Sequence, residues 1–199
     1  MKKTISFLFV TALLLTAVTA YAQPASPYNE ETLVVVQSYA RTAEMKRLTD
    51  LTPEQEQRYS AACKQYFTSM YRAAHVETHV EKAAQIMREA RKTLDLAWMD
   101  ILTEKQQRQY IRAMMADEVH QETMLKIASL QNSGRYNREE ADKFYKQIYN
   151  YYMSVKIISV RYQYDIKKLR KNLSTLRKIA PKVIKESNTP NKAEAKPKP

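Results

Sequence analysis

One glycine in 199 residues is the tightest constraint this sequence places on its fold. Average usage would supply roughly a dozen, at about 7%. With Gly134 alone, the chain has no glycine-rich phosphate loop and no dinucleotide fingerprint. It also lacks the glycines on which two-residue hairpin turns draw. Apolar residues at 44% against 27% charged are enough for a packed core. The expectation is an all-α fold without β-sheet: an elongated helical hairpin or bundle of four to five helices, ending in a long basic C-terminal helix.

Residues 1–22 have the form of a secretory signal peptide. Lys2 and Lys3 make the basic n-region, and residues 5–18 are apolar apart from Ser6, Thr11 and Thr16. Ala20-Tyr21-Ala22 supplies the small-x-small cleavage site. The apolar run is shorter than the ~20 residues a membrane-spanning helix needs. Gln23, not cysteine, follows the cut, which argues against a lipid anchor. The mature chain is expected to begin near Gln23 and to reside in the periplasm, where nucleic acid is not a partner.

The formal charge of +12 is unevenly distributed. Residues 23–155 hold 18 basic and 18 acidic residues. Residues 156–178 hold Lys156, Arg161, Lys167, Lys168, Arg170, Lys171, Arg177 and Lys178 against Asp165 alone. A neutral body thus carries a basic end, whose mutual repulsion an acidic client, lipid head groups or an acidic polymer would relieve. These eight cations are the candidate client- or anion-binding residues.

Helix signals follow in order. Asn29 is an N-cap ahead of Glu30 and Glu31, and Leu33, Val36, Ala40 and Ala43 form the apolar face of the helix it starts. Tyr59, Cys63, Tyr66, Met70 and Ala73 form a second stripe. Val80, Ala83, Met87, Ala90, Leu94, Ala97 and Ile101 form a third in a different phase, so a break is expected near residues 75–79. Asn132-Ser133-Gly134 reads as a turn with Gly134 in the left-handed position. Asn137 then caps a helix over 137–178, which would be about 60 Å long if unbroken. Its stripe has one extra residue between Tyr162 and Ile166. The expected organisation is a signal peptide (1–22), a helical body (23–131), a long basic amphipathic helix (137–178) and a disordered lysine- and proline-rich tail (180–199).

Two segments repeat at an offset of 51 residues: Leu51-Thr52 with Gln55, and Leu102-Thr103 with Gln106, followed by Tyr59 and Tyr110. A threonine cap with glutamine three residues later is a capping box, and Pro53 suits the first helical position of the first copy. Through this doubled Leu-Thr-x-x-Gln core the chain resembles the LTxxQ-motif family of periplasmic helical proteins, the Spy/CpxP-like chaperones. The resemblance covers residues from about 40 to 115. It implies that Leu51, Thr52, Gln55, Leu102, Thr103 and Gln106 fix the angles at which helices start. It further implies a thin, curved homodimer whose concave face holds unfolded or envelope-stress clients without ATP. Some 85 residues follow the second motif, where the family pattern ends soon after it.

Other chemistry is sparse. His75 and His79 stand four apart, a spacing at which two imidazoles on one helical face can share a metal ion. No third ligand is evident, and exposed histidines are the simpler reading. Cys63, the single cysteine, lies within an apolar stripe and is expected to be a buried small hydrophobe. Tyr145, Tyr149, Tyr151, Tyr152, Tyr162 and Tyr164 crowd the last helix and suit an adaptable contact surface. No catalytic constellation is evident, so neither an enzyme nor a cofactor is expected. The function expected is an ATP-independent chaperone or envelope-stress adaptor for unfolded or acidic clients. The alternatives are a metal-responsive protein using His75 and His79, and a tether whose last helix meets a coiled-coil partner or an anionic membrane surface.

Overall fold

The computed structural model describes residues 29–134 and 136–186. The expected signal peptide and residues 187–199 of the expected tail lie outside them. Eight helices and no strand occur among the described residues, so the all-α expectation holds, with more and shorter helices than the four to five expected. The chain divides into two compact units after Leu102, not at Gly134.

The first unit contains α1 (Glu30–Thr49), α2 (Pro53–His75) and α3 (Val80–Ile101). Asn29 caps α1 by accepting a 2.8 Å bond from the Thr32 amide. Asp50 ends it in the left-handed conformation, at φ 52°. Thr52 and Gln55 close the capping box of α2 as expected, with Pro53 at the first position. α2 ends at His75 and α3 begins at Val80, so the break falls where the change of stripe phase predicted it. α2 is the middle helix, packed against both α1 and α3. Tyr59, Cys63 and Ala73 are buried on it, and Leu94, Trp98 and Ile101 on α3.

α1 departs from the sequence reading. Its buried face is Val34, Ser38, Thr42, Met45 and Thr49. Val36, Ala40 and Ala43, expected inside, are exposed. The physical reason is that threonine hydroxyls can be satisfied within their own helix. Thr42 donates to the Ser38 carbonyl and Thr49 to the Met45 carbonyl, each at 2.7 Å. Once self-satisfied they pack as small residues, and Thr42 lies against Cys63 of α2.

The second unit contains α4 (Glu104–Asn132), α5 (Arg138–Lys143), α6 (Tyr145–Arg161), α7 (Ile166–Lys178) and α8 (Lys182–Glu186). Thr103 and Gln106 cap α4, and Asn137 and Glu140 cap α5, both as full capping boxes. Gly134 has φ +67°, the left-handed turn expected of it. The continuous helix expected over 137–178 is instead three helices. Phe144 makes a tighter bond to the Ala141 carbonyl and separates α5 from α6. Tyr162 leaves helical geometry at φ −116°, ψ 19°, and Asp165 caps α7 through the Lys168 amide at 3.0 Å. The extra residue in the stripe is therefore a chain reversal that needs neither proline nor glycine. α6 runs back along α4, and α7 folds onto α6.

Residues 180–186 are not part of a disordered tail. Ala180, Val183 and Ile184 are buried against Ile127, Leu130, Ala141 and Ile148, with Phe144 and Tyr151 packed around them. Three apolar groups within five residues outweigh the lysines beside them, because Lys182 and Lys185 point to solvent.

Candidate functional site

The first copy of the repeated motif forms a structural junction in the first unit. Leu51 and Leu102 are both buried. The Gln55 side chain accepts a bond from the Thr52 amide at 3.1 Å through Oε1. Its Nε2 donates to the Ile101 carbonyl at 2.9 Å. Arg58 and Asp100 add an exposed ion pair at 2.8 Å nearby. In the second copy, Gln106 Oε1 accepts from the Thr103 amide and hydroxyl at 3.0 and 2.9 Å. The six motif residues thus act on helix starts and contain no reactive group.

The eight candidate cations separate into two sets. Lys156 is only 22% exposed and bridges Glu118 and Glu122 of α4 at 2.8 Å each. Burial works against its charge, but the two carboxylates outweigh that and raise its pKa. Arg161 pairs with Glu104 at 2.7 Å, and Arg108 reaches the same carboxylate at 3.2 Å. Hydrogen bonds from these two arginines hold Glu104 below the usual carboxylate range. Lys156 and Arg161 therefore fasten α6 to α4 and leave the anion-binding set.

The other six, Lys167, Lys168, Arg170, Lys171, Arg177 and Lys178, are all exposed on α7. Lys182 and Lys185 extend the surface onto α8, and residues 166–185 hold eight basic residues and no acidic one. Asp165 precedes them, bonded to the Lys168 amide and bridged to its ammonium at 3.2 Å, and Glu186 follows them at the end of α8. The amide bond in particular keeps Asp165 below the usual carboxylate range. Lys167 and Lys168 sit at the positive end of the α7 dipole, where cations are unfavourable, and the Asp165 cap offsets this. At the other end, Lys185 donates to the Lys178 carbonyl at 2.8 Å. Leu169, Leu173 and Leu176 of α7 are half-buried.

The alternative of a metal-binding pair at His75 and His79 finds no shared helix in the structure. His75 is the last residue of α2, its ring tilted against that of Tyr71 with centroids 4.4 Å apart, whereas His79 precedes α3. The break removes the shared helical face, and no group of three metal-ligating side chains occurs among the described residues. Cys63 is buried as expected. Burial pushes its thiol pKa up, against weaker opposing effects of Tyr59, Arg41 and Thr42.

Two surfaces escaped the sequence reading. Val35, Val36 and Tyr39 are 46, 59 and 75% exposed on α1, because the self-bonded threonines took the buried face. A cleft of about 330 Å³ in the second unit is lined by Lys126, Tyr151, Tyr152 and Arg177 among others. The tyrosine pair was visible in the sequence, but nothing marked Lys126, a lone lysine in a neutral stretch. No described helix is long and apolar enough to cross a membrane. No family model matches the chain, and neither a curated protein nor a solved structure matches it.

Proposed function

We propose that the protein is an exported, ATP-independent chaperone or envelope-stress adaptor, similar to the Spy/CpxP-like proteins, that holds unfolded or acidic protein clients. The observation that carries this reading is the cationic surface of α7. Lys156 and Arg161 are matched by carboxylates inside the protein, but among the described residues the six exposed cations of α7 have Asp165 as their one ion-pair partner. Charge concentrated this way calls for an external anion and speeds encounter with one. Val35, Val36 and Tyr39 on α1 add apolar and aromatic area suited to exposed hydrophobic segments. In this reading the basic C-terminal element works by surface contact, without catalysis or cofactor, and the protein acts in the periplasm as a homodimer.

Suppression of aggregation of an unfolded model protein, measured at low and high salt, tests the proposal. Protection at low salt should weaken as the Debye length shrinks from ~10 Å at 0.1 M to ~3 Å at 1 M. It should also weaken when Lys167, Lys168, Arg170 and Lys171 are changed to glutamine. Absence of protection at equimolar protein in low salt would overturn it.

The amphipathic character of α7 also favours a second reading, as a tether on an anionic membrane surface, since Ile166 and Ile179 are exposed at its two ends. Sedimentation with anionic and neutral vesicles separates the two. Retention by anionic vesicles without aggregation suppression supports the tether.

A further inference from the structure

We propose that the cleft between α4, α6, α7 and α8 binds a small carboxylate bearing an apolar body, with Lys126 and Arg177 taking the carboxylate and Tyr151, Tyr152, Val155 and Leu173 enclosing the rest. The cleft measures about 330 Å³, at the lower end of the roughly 300–1,000 Å³ common for small-molecule sites. Its lining joins two cations to aromatic and aliphatic walls, the usual make-up of a ligand site with a few orienting polar groups.

Lys126 carries most of the argument. It is half-buried on α4 and has no carboxylate partner among the described residues. The acid one turn before it, Glu122, is engaged by Lys156 at 2.8 Å. Lys126 has thus lost part of its hydration without gaining an anion, and burial lowers its pKa. Leaving a lysine in this state is unfavourable unless an outside anion completes it. Arg177 enters the same lining from α7 and supplies a guanidinium that can grip a carboxylate through two donors.

The walls favour a particular shape. The tyrosine rings offer flat apolar area with a hydroxyl donor at the tip. Tyr152 keeps its proton more firmly than usual, chiefly through burial and then through the nearby Glu122 charge, so it remains a donor. Val155 and Leu173 make the remaining wall apolar. A carboxylate with an alkyl or aryl group fits this distribution, either as a free acid or as the C-terminal residue of a peptide. The inference does not depend on the chaperone reading, because it needs only the lining of this cleft, which shares Arg177 alone with the exposed cations of α7.

Calorimetric titration of the intact protein with octanoate, 3-phenylpropionate, acetyl-Ala-Leu and the amide of that peptide tests it. Saturable binding with Kd of about 1 mM or tighter is expected for at least one carboxylate. Loss of one charge-assisted contact in Lys126→Met should weaken it roughly tenfold or more. Val155→Phe, which keeps every charge and fills the cleft, should weaken it comparably. Lys146→Gln, an exposed change elsewhere on α6, should leave it unchanged. Binding by free acids alone identifies a small-molecule site; binding by the peptide alone, lost in its amide, identifies a C-terminus reader. Absence of saturable binding by every probe overturns the proposal. So does binding that both Lys126→Met and Val155→Phe leave intact in variants whose circular dichroism is native, or equal binding of peptide and amide.

Discussion

The Gln55 side chain donates a 2.9 Å hydrogen bond to the carbonyl of Ile101, a residue 46 positions later. The same side chain closes the cap of α2 through Thr52. One glutamine therefore satisfies an orphan donor at the start of α2 and an orphan acceptor at the end of α3, two sites that helix geometry leaves open. This gives the first Leu-Thr-x-x-Gln copy a tertiary role beyond local capping. Gln55→Ala should destabilise the first unit by about 1–3 kcal/mol. Gln55→Glu keeps an acceptor for Thr52 but loses the donor to Ile101, so it should fall near the alanine variant at neutral pH. Urea unfolding followed by circular dichroism measures both; wild-type stability in either would show the bond to be idle.

Ser38 sits at the other extreme. It is fully buried, and its hydroxyl has no hydrogen-bond partner among the described residues. Alanine fits the same space, removes the unsatisfied group and is the better helix former. Ser38→Ala should therefore raise stability by about 1 kcal/mol. A lowered thermal midpoint would mean the hydroxyl finds a partner in solution.

Lys156 gathers Glu118 and Glu122, which lie one turn apart on α4. Lys156→Met would leave two like charges facing each other beside an apolar side chain. A loss of about 1–2 kcal/mol is expected, reduced from a buried-pair value because both carboxylates remain in contact with water. Added salt should diminish the difference between variant and wild type. A variant insensitive to salt and as stable as wild type would place the lysine's worth in packing alone.

Glu104 and Asp165 should make the second unit sensitive to acid. Both carboxylates are held below their usual range, Glu104 by Arg161 and Arg108 and Asp165 chiefly by the Lys168 amide. For a carboxyl depressed in the folded state, stability is present above the unfolded pKa and is lost as pH falls through the folded one. Stability should therefore decline on acidification from about pH 4 downward. Glu104→Gln, which cannot titrate, should flatten that decline, as read from the thermal midpoint between neutral and acid pH. An unchanged profile would assign the acid sensitivity to other groups.

Val183 and Ile184 test the last helix. Both are buried against Ile127, Leu130 and Ile148. Ile184→Ala should cost about 2–4 kcal/mol, from lost transfer energy and the cavity left behind. A cost under about 0.5 kcal/mol, the range of surface substitutions, would mean that the segment does not stay docked.

Much of this was legible in the sequence. Helix starts are decided by residues within one turn, so Asn29, Thr52, Thr103 and Asn137 were readable as caps. The left-handed turn at Gly134 and the break after His75 were equally local. Burial of Cys63 followed from its apolar stripe, which α2 indeed turns inward.

What the sequence could not settle was which faces and charges meet. Hydropathy placed Val36 inside, but Thr42, satisfied by its bond to the Ser38 carbonyl, lies on the buried face and Val36 is exposed. Composition made Lys156 and Lys167 alike; only the approach of α6 to α4 matched one with Glu118 and Glu122 and left the other exposed. The all-helical character, the caps and the single glycine's turn were fixed by the sequence alone, because each depends on groups a few bonds apart. The division after Leu102, the docking of residues 180–186 and the pairing of charges were decided by tertiary structure, since they depend on groups brought together only when whole helices pack.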